Sequence, residues 1–241
     1  VYDKGIFAIS GWKLREVVRA GNLAAASPGN GSAEQDTIAQ AGAQEHGAIA
    51  RYGIVLRTRW ARVILALVAV EGLLAFGALA FVPTSLHERT GMPVWLAGAT
   101  VASFGLGGLA YTANAARLVG RLGESGLALA GGALMASGFT LLAAAPRTGV
   151  IACAVLGLGY HMLHNTLQTH ATQMAPTVRG TGVALFAMCL FMGQSIGVTL
   201  AAEMVLCGGF VPVFATAAAG VLATGAAFAL LLQRRVGTKI E

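Results

Sequence analysis

From residue 62 onward the chain is a succession of long apolar runs with almost no charge inside them. They cover approximately 62–82, 94–115, 125–145, 149–172, 180–205 and 210–232. A helix of about 20 residues crosses roughly 30 Å of hydrocarbon, and in lipid only helices or closed barrels satisfy their own backbone polar groups. Six runs of helix length predict an all-α membrane protein with six transmembrane helices. Charge content agrees: 11% of the residues are Asp, Glu, Lys or Arg, against about 25% in a soluble domain. Pro83 and Pro93 bracket an expected first outer loop, Pro146 and Pro176 close the third and fourth helices, and Pro212 opens the sixth. Proline costs least at such helix ends.

The chain divides into three parts. Residues 1–50 read as a cytoplasmic polar linker or tail, partly disordered. A short apolar run from Gly5 to Trp12 leads into KLREVVRAGNLAAA, of modest amphipathic character, and then into SPGNGSAEQDTIAQAGAQEHG, which has no periodic core face. Residues 51–235 hold the membrane domain, and 236–241 a cytoplasmic tail. The chain begins with Val; no cleavable signal peptide is expected, and the start is read either as that of a fragment or as a non-standard codon.

Orientation follows from the basic residues. Arg51, Arg57, Arg59, Arg62, Arg117, Arg121, Arg179, Arg234, Arg235 and Lys239 fall on one side of the expected topology; Arg89 and Arg147 fall on the other. Basic residues mark the cytoplasmic side, so both termini are expected there, in a bacterial inner membrane. The net charge of +6 arises from this arrangement rather than from one basic soluble face, so no nucleic-acid partner is expected. Cys153, Cys189 and Cys207 lie in or beside apolar runs without CxxC spacing and read as small buried apolar residues.

Two features inside the runs carry chemistry. Glu71 lies near the middle of the first run. A carboxylate at that depth is costly unless protonated, paired or wetted. It reads either as an acid that couples protons or contacts substrate, or as one that bonds a neighbouring helix. In the fourth run His161, His164, Asn165 and Gln168 stand at i, i+3, i+4 and i+7 and share an arc of roughly 100° on a helix. Tyr160 lies beside them and His170 further along. This stripe is either the wall of a polar cavity or a set of interhelical hydrogen bonds. The two histidines at i, i+3 lack an acid or cysteine spaced to complete a metal shell, so neither metal nor cofactor is expected.

Other motifs read more plainly. Gly193 and Gly197 stand at GxxxG spacing and read as helix packing. The same stretch, Gly193-Gln194-Ser195-Ile196-Gly197, matches GxSxG, but a hydrolase needs that motif on a strand–turn–helix elbow. Glu203 reads as an interfacial acid near the outer end of the fifth run. Arg117 and Arg121 form a short basic turn, read either as topology alone or as a gating contact.

Residues 51–235 resemble the carboxyl-terminal half of a major facilitator superfamily transporter. The most specific stretch is GLGYHMLHNTLQTHATQMAPTVRGTGVALFAMCLFMGQSIG, residues 157–197. Its glycine-rich helix, its Pro-x-x-Arg-Gly turn (Pro176, Arg179, Gly180) and its Gly-Gln-Ser-x-Gly run are similar to helices ten and eleven of bacterial sugar-efflux and drug-efflux members. The turn around Arg117 and Arg121 is similar to the loop between helices eight and nine, usually Gly-x-x-x-Asp-Arg-x-Gly-Arg; here Asn114 and Ala115 precede Arg117 and the Asp is absent.

The resemblance implies two three-helix inverted repeats whose first helices line a central cavity; here those helices carry Glu71 and the polar stripe. It implies a secondary transporter, not an enzyme, working by alternating access. Proton-coupled export of a small organic molecule is the expected activity, with Glu71, Tyr160, His161, His164, Asn165 and Gln168 on the pathway. Only six of the family's twelve helices are expected here, so the expected partners are membrane lipid, a small-molecule substrate and a second six-helix half. The alternatives are a non-transporting scaffold or regulatory subunit and, more remotely, an intramembrane hydrolase using Ser195.

Overall fold

The computed structural model describes Gly47 and residues 50–237, so the reading of 1–50 as a linker and of 236–241 as a tail falls almost wholly outside the described residues. All regular structure within them is helical. Residues 50–57 are helical and bend at Thr58 into α1 (Arg59–Glu71). A π-helical turn, Gly72–Phe76, and the short α2 (Gly77–Leu79) continue it. Then come α3 (Val82–Thr90), α4 (Val94–Val101), α5 (Ser103–Ala144), α6 (Gly149–Gln173), α7 (Arg179–Gly208) and α8 (Phe210–Gly237). Single 3₁₀ turns at Pro146–Thr148 and Pro176–Val178 start the chain into α6 and α7.

Five continuous helical stretches among the described residues are long and apolar enough to cross a membrane: Arg59–Thr90, Val94–Ala144, Pro146–Gln173, Pro176–Gly208 and Phe210–Arg235. The sequence suggests six. The difference lies in the second stretch, whose 51 residues would extend about 77 Å if straight. It is not straight. Gly123 has φ 63° and ψ 179°, a conformation open to glycine and hardly to any other residue.

The contacts show that the chain folds back there. Ahead of Gly123, Ser103 Oγ donates to the Val150 carbonyl at 2.9 Å, Gly157 abuts Phe104 and the His161 ring abuts Gly108. Contacts in this first arm therefore climb α6 in the same direction. Beyond Gly123 they descend it, with Gly131 against Gly159 and Leu163, and Gly138 against Ala152 and Leu156. No proline interrupts 103–144, so helical hydrogen bonding runs on to both sides of a single-residue reversal.

The expected outer loop between Pro83 and Pro93 needs a second correction. Pro83 sits in the first turn of α3, where its missing N–H has no partner to lose, and the segment is helical up to Thr90. Only Gly91–Pro93 remains irregular, with Gly91 in the left-handed region at φ 73°. Arg89 donates from Nη1 and Nη2 to the carbonyls of Leu142 and Ala143, at 2.8 and 2.7 Å. It satisfies two of the four carbonyls that the end of α5 leaves without helical partners.

Backbone-to-backbone contact at glycine holds the bundle. A Cβ added at Gly193 or Gly197 would strike the carbonyls of Ala69 and Leu73, and one added at Gly72 or Gly77 would strike Leu190 or Gly197. Thus α1 with its π turn interlocks with α7. Gly132 meets Gly225 in the same way, joining the second arm of α5 to α8. Phe139, Met135, Leu156, Leu163, Phe214 and Phe228 fill the core between these contacts. Cys153 is buried as expected, but Cys189 is only half-buried and Cys207 is exposed near the end of α7.

One end of the bundle collects the basic residues. Trp60, Glu124, His170 and Arg235, from α1, α5, α6 and α8, meet there: the Trp60 and His170 rings lie 5.5 Å apart, His170 Nε2 is 3.1 Å from Glu124 Oε2, and Arg235 lies 4.2 Å above the Trp60 ring. Arg89 and Arg147 lie at the opposite end. The segregation read from sequence is therefore spatial for the described residues; Lys239 lies outside them.

Candidate functional site: a buried acid–imidazole pair

The site begins with Glu71, the last residue of α1. Its neighbour Gly72 is held against Leu190 of α7. One helical step of 100° separates the two side chains, so Glu71 is turned away from lipid and into the bundle. It is wholly buried, with 0% exposure. The π turn starts at the next residue; such turns are frequent at functional sites in helices.

His164 meets Glu71 from α6. Its Nδ1 lies 2.8 Å from Glu71 Oε2, and its side chain is 14% exposed. The other carboxyl oxygen, Oε1, is buried with no hydrogen-bond partner. Rings enclose the pair. Tyr160 stacks on His164 with centroids 4.8 Å apart and planes 18° apart, and Phe186 of α7 approaches it at 5.3 Å. Phe76 and Phe104 close on Tyr160 from the other sides, at 5.1 and 5.5 Å. The pair is neutral as a unit whether the proton rests on the carboxyl or on the imidazole. An unpaired charge at this depth would be far more costly.

The rest of the stripe is arranged differently. His161 Nδ1 lies 2.8 Å from the Gly157 carbonyl one turn back. A carbonyl only accepts, so Nδ1 carries the hydrogen, and in the neutral ring Nε2 remains an acceptor. The ring also lies 5.8 Å from Phe104. Asn165 is half-buried and Gln168 exposed. Burial thus falls along the stripe from Tyr160 to Gln168. His164 bonds the acid and Tyr160 stacks on His164, so the acid bonds one stripe residue, not four.

Other candidates fall elsewhere. Arg117 and Arg121 are exposed on the helical end of the first arm, just ahead of Gly123, so they occupy a helix rather than a turn. Ser195 Oγ donates to the Phe191 carbonyl of its own helix at 2.9 Å. With that stretch fully helical, the hydrolase elbow is absent. Glu203 is exposed on α7. No group of three or more His, Cys, Asp or Glu side chains that could hold a metal occurs among the described residues.

The contact between His170 and Glu124 was not read from the sequence. Nor was the Arg89 cap. Both join residues more than 40 positions apart, and each looks locally like ordinary interfacial charge.

Long apolar helices, glycine-mediated packing and one buried acid–base pair define a multi-pass helical membrane protein with ionisable chemistry at its core. The family model of the Major Facilitator Superfamily matches residues 6–198. The chain belongs to that superfamily and is a transporter of the major facilitator type. The match starts inside the segment 1–50 and stops within α7, whereas the motif resemblance runs over 51–235. No curated protein and no solved structure matches the chain.

Proposed function

We propose that this chain acts as one six-crossing half of a major facilitator transporter, exporting a small organic molecule in exchange for protons by alternating access. The observation that carries this reading is the buried Glu71–His164 pair, which joins the first helix to the fourth at 2.8 Å. An acid and an imidazole in direct contact can pass one proton between them without leaving a bare charge in the membrane. The unpartnered Oε1 of Glu71 is where a proton or a substrate donor would bind when the site opens. Tyr160, His161, His164, Asn165 and Gln168 lie on the pathway, and Arg117 and Arg121 gate its basic end.

The packing supports six crossings in two inverted repeats. The reversal at Gly123 divides the second long stretch in two. Exchange the first three crossings for the last three, and α1 against α7 maps onto α6 against the first arm of α5. The close glycines are Gly72 and Gly193 in one pair, Gly107 and Gly157 in the other. The contact between the second arm and α8 at Gly132 and Gly225 maps onto itself. The exchanged units start from opposite ends of the bundle, as inverted-topology repeats do.

A second half covers α7, through a separate chain or a second copy. Only 22% of the most apolar window of α7 is buried, against 44–56% for the other stretches. Met188, Phe191, Met192, Ser195 and Ile196 line an open groove on it. The basic end faces the cytoplasm of a bacterial inner membrane, and both termini lie on that side.

The test uses proteoliposomes with an entrapped pH dye and an imposed pH gradient, challenged with a panel of small organic solutes. Solute-dependent proton flux is expected for the wild-type chain. None is expected for Glu71→Gln, whose helical circular dichroism and elution volume should stay unchanged. Equal flux from both proteins removes Glu71 from the mechanism. No flux from the wild type with any solute favours a non-transporting scaffold.

A further inference from the structure

At the basic end a groove of about 350 Å³ runs between α1 and α8, lined by Arg59, Trp60, Val63, Leu231, Arg234 and Arg235. Its composition is layered. Val63 and Leu231 lie one turn deeper toward the membrane interior than the arginines of their own helices. Arg59 lies on one wall and Arg234 and Arg235 on the other, so three arginines border the groove. Trp60 stands between them, and Arg235 packs on its ring at 4.2 Å, a cation–π contact that holds the guanidinium in place. Arg234 and Arg235 each make a further contact of their own. Five N–H donors on a guanidinium leave room for another acceptor.

We propose that this groove binds an anionic phospholipid, with the headgroup phosphate among Arg59, Arg234 and Arg235 and one acyl chain against Val63 and Leu231. Charge complementarity selects the headgroup, since planar guanidinium forks match phosphate oxygens. The apolar floor selects a lipid over a free anion. Basic pockets between membrane helices at a positively charged face are suited to such headgroups. The site is distinct from the Glu71–His164 pair, and no step of transport is needed for it.

Trp60 reports occupancy. The full chain carries three tryptophans, Trp12, Trp60 and Trp95; replacing Trp12 and Trp95 with Phe leaves Trp60 as the only indole. This protein is reconstituted in phosphatidylcholine vesicles containing a small fraction of phosphatidylglycerol. Either lipid is brominated on its acyl chains, and quenching of Trp60 is compared at equal mole fraction. One arginine beside an anionic headgroup corresponds to about a fivefold change in affinity, so three give a preference on the order of a hundredfold for the anionic lipid. The triple variant R59Q/R234Q/R235Q should quench equally with both lipids, and R59K/R234K/R235K should keep most of the preference. R117Q/R121Q removes two charges at the same end outside the groove and should leave the preference intact.

Equal quenching of the starting protein by the two lipids overturns the proposal. So does a preference that survives in the triple Gln variant, or one lost equally in R117Q/R121Q. Loss of the preference on adding millimolar inorganic phosphate at matched ionic strength identifies a free-anion site and overturns the assignment to lipid.

Discussion

Gly105 and Gly107 stand two residues apart in the same helix, and alanine should act on them in opposite directions. A Cβ at Gly105 meets nothing within 4 Å, whereas one at Gly107 collides with the Ala154 carbonyl and the Leu158 amide and lies 2.9 Å from the Gly157 carbonyl carbon. Ordinary van der Waals contact begins at 3.4 Å, so even the loosest of these contacts requires about 0.5 Å of separation between α5 and α6, and the two tighter ones require more. A gap of at least that size forfeits about a quarter or more of the dispersion energy of atom pairs across the interface, and overpacking of this kind costs about 1–3 kcal/mol. Gly105→Ala instead gains helix propensity, about 0.5–1 kcal/mol.

The assay is thermal unfolding of the purified chain in detergent, followed by circular dichroism. For a chain of this length, 1 kcal/mol moves the midpoint by about 2–4 °C. Gly107→Ala should therefore melt about 2–12 °C lower, and Gly105→Ala slightly higher. On the proposed mechanism Gly107→Ala should also weaken proton coupling, because α6 carries His164 to its 2.8 Å contact with Glu71. Equal midpoints for the two variants would refute the claim that backbone contact at glycine sets the spacing of α5 and α6.

Arg89→Ala removes two charge-assisted donors from the carbonyls of Leu142 and Ala143. It should lower stability by about 1.5–3 kcal/mol in the same melt, whereas Arg147→Ala, at the same end, should fall within about 0.5 kcal/mol of wild type. Ser195→Ala loses only a bond to its own helix. Stability should change by less than about 0.5 kcal/mol, and a fluorophosphonate probe should label neither wild type nor variant at residue 195.

The sequence carried the helices because their signal is compositional. Runs of about 20 apolar residues can satisfy their backbone in lipid in one way only. Basic residues at one end repeat that information, and the end-to-end segregation of Arg59 and Arg235 from Arg89 follows from it. The reversal at Gly123 falls in the interval between the second and third runs, where a turn is expected, although no proline marks it and helical bonding runs up to it on both sides. One boundary was missed for a local reason. Pro83 suggests a loop but sits where a helix tolerates it, in the first turn of α3.

The pairing of Glu71 with His164 was harder to read, although both residues stood out. Each lies on a helix that is apolar almost all round, and a helix in lipid has no wet side to fix its rotation. Hydrophobic periodicity therefore cannot tell which neighbour a buried acid faces. Glycine supplies the missing phase. Gly72 and Gly77 must face a backbone, because any Cβ there would enter α7, and this sets the rotation of α1. Glu71, one residue before Gly72, is then fixed 100° from the α7 contact, on the side where α6 passes. Gly157 and Gly159 fix α6 in the same way, against Phe104 and Gly131, and leave His164 facing α1. Small residues thus determine which polar groups meet, and the acid–imidazole contact depends on glycines that make no chemical contact with it.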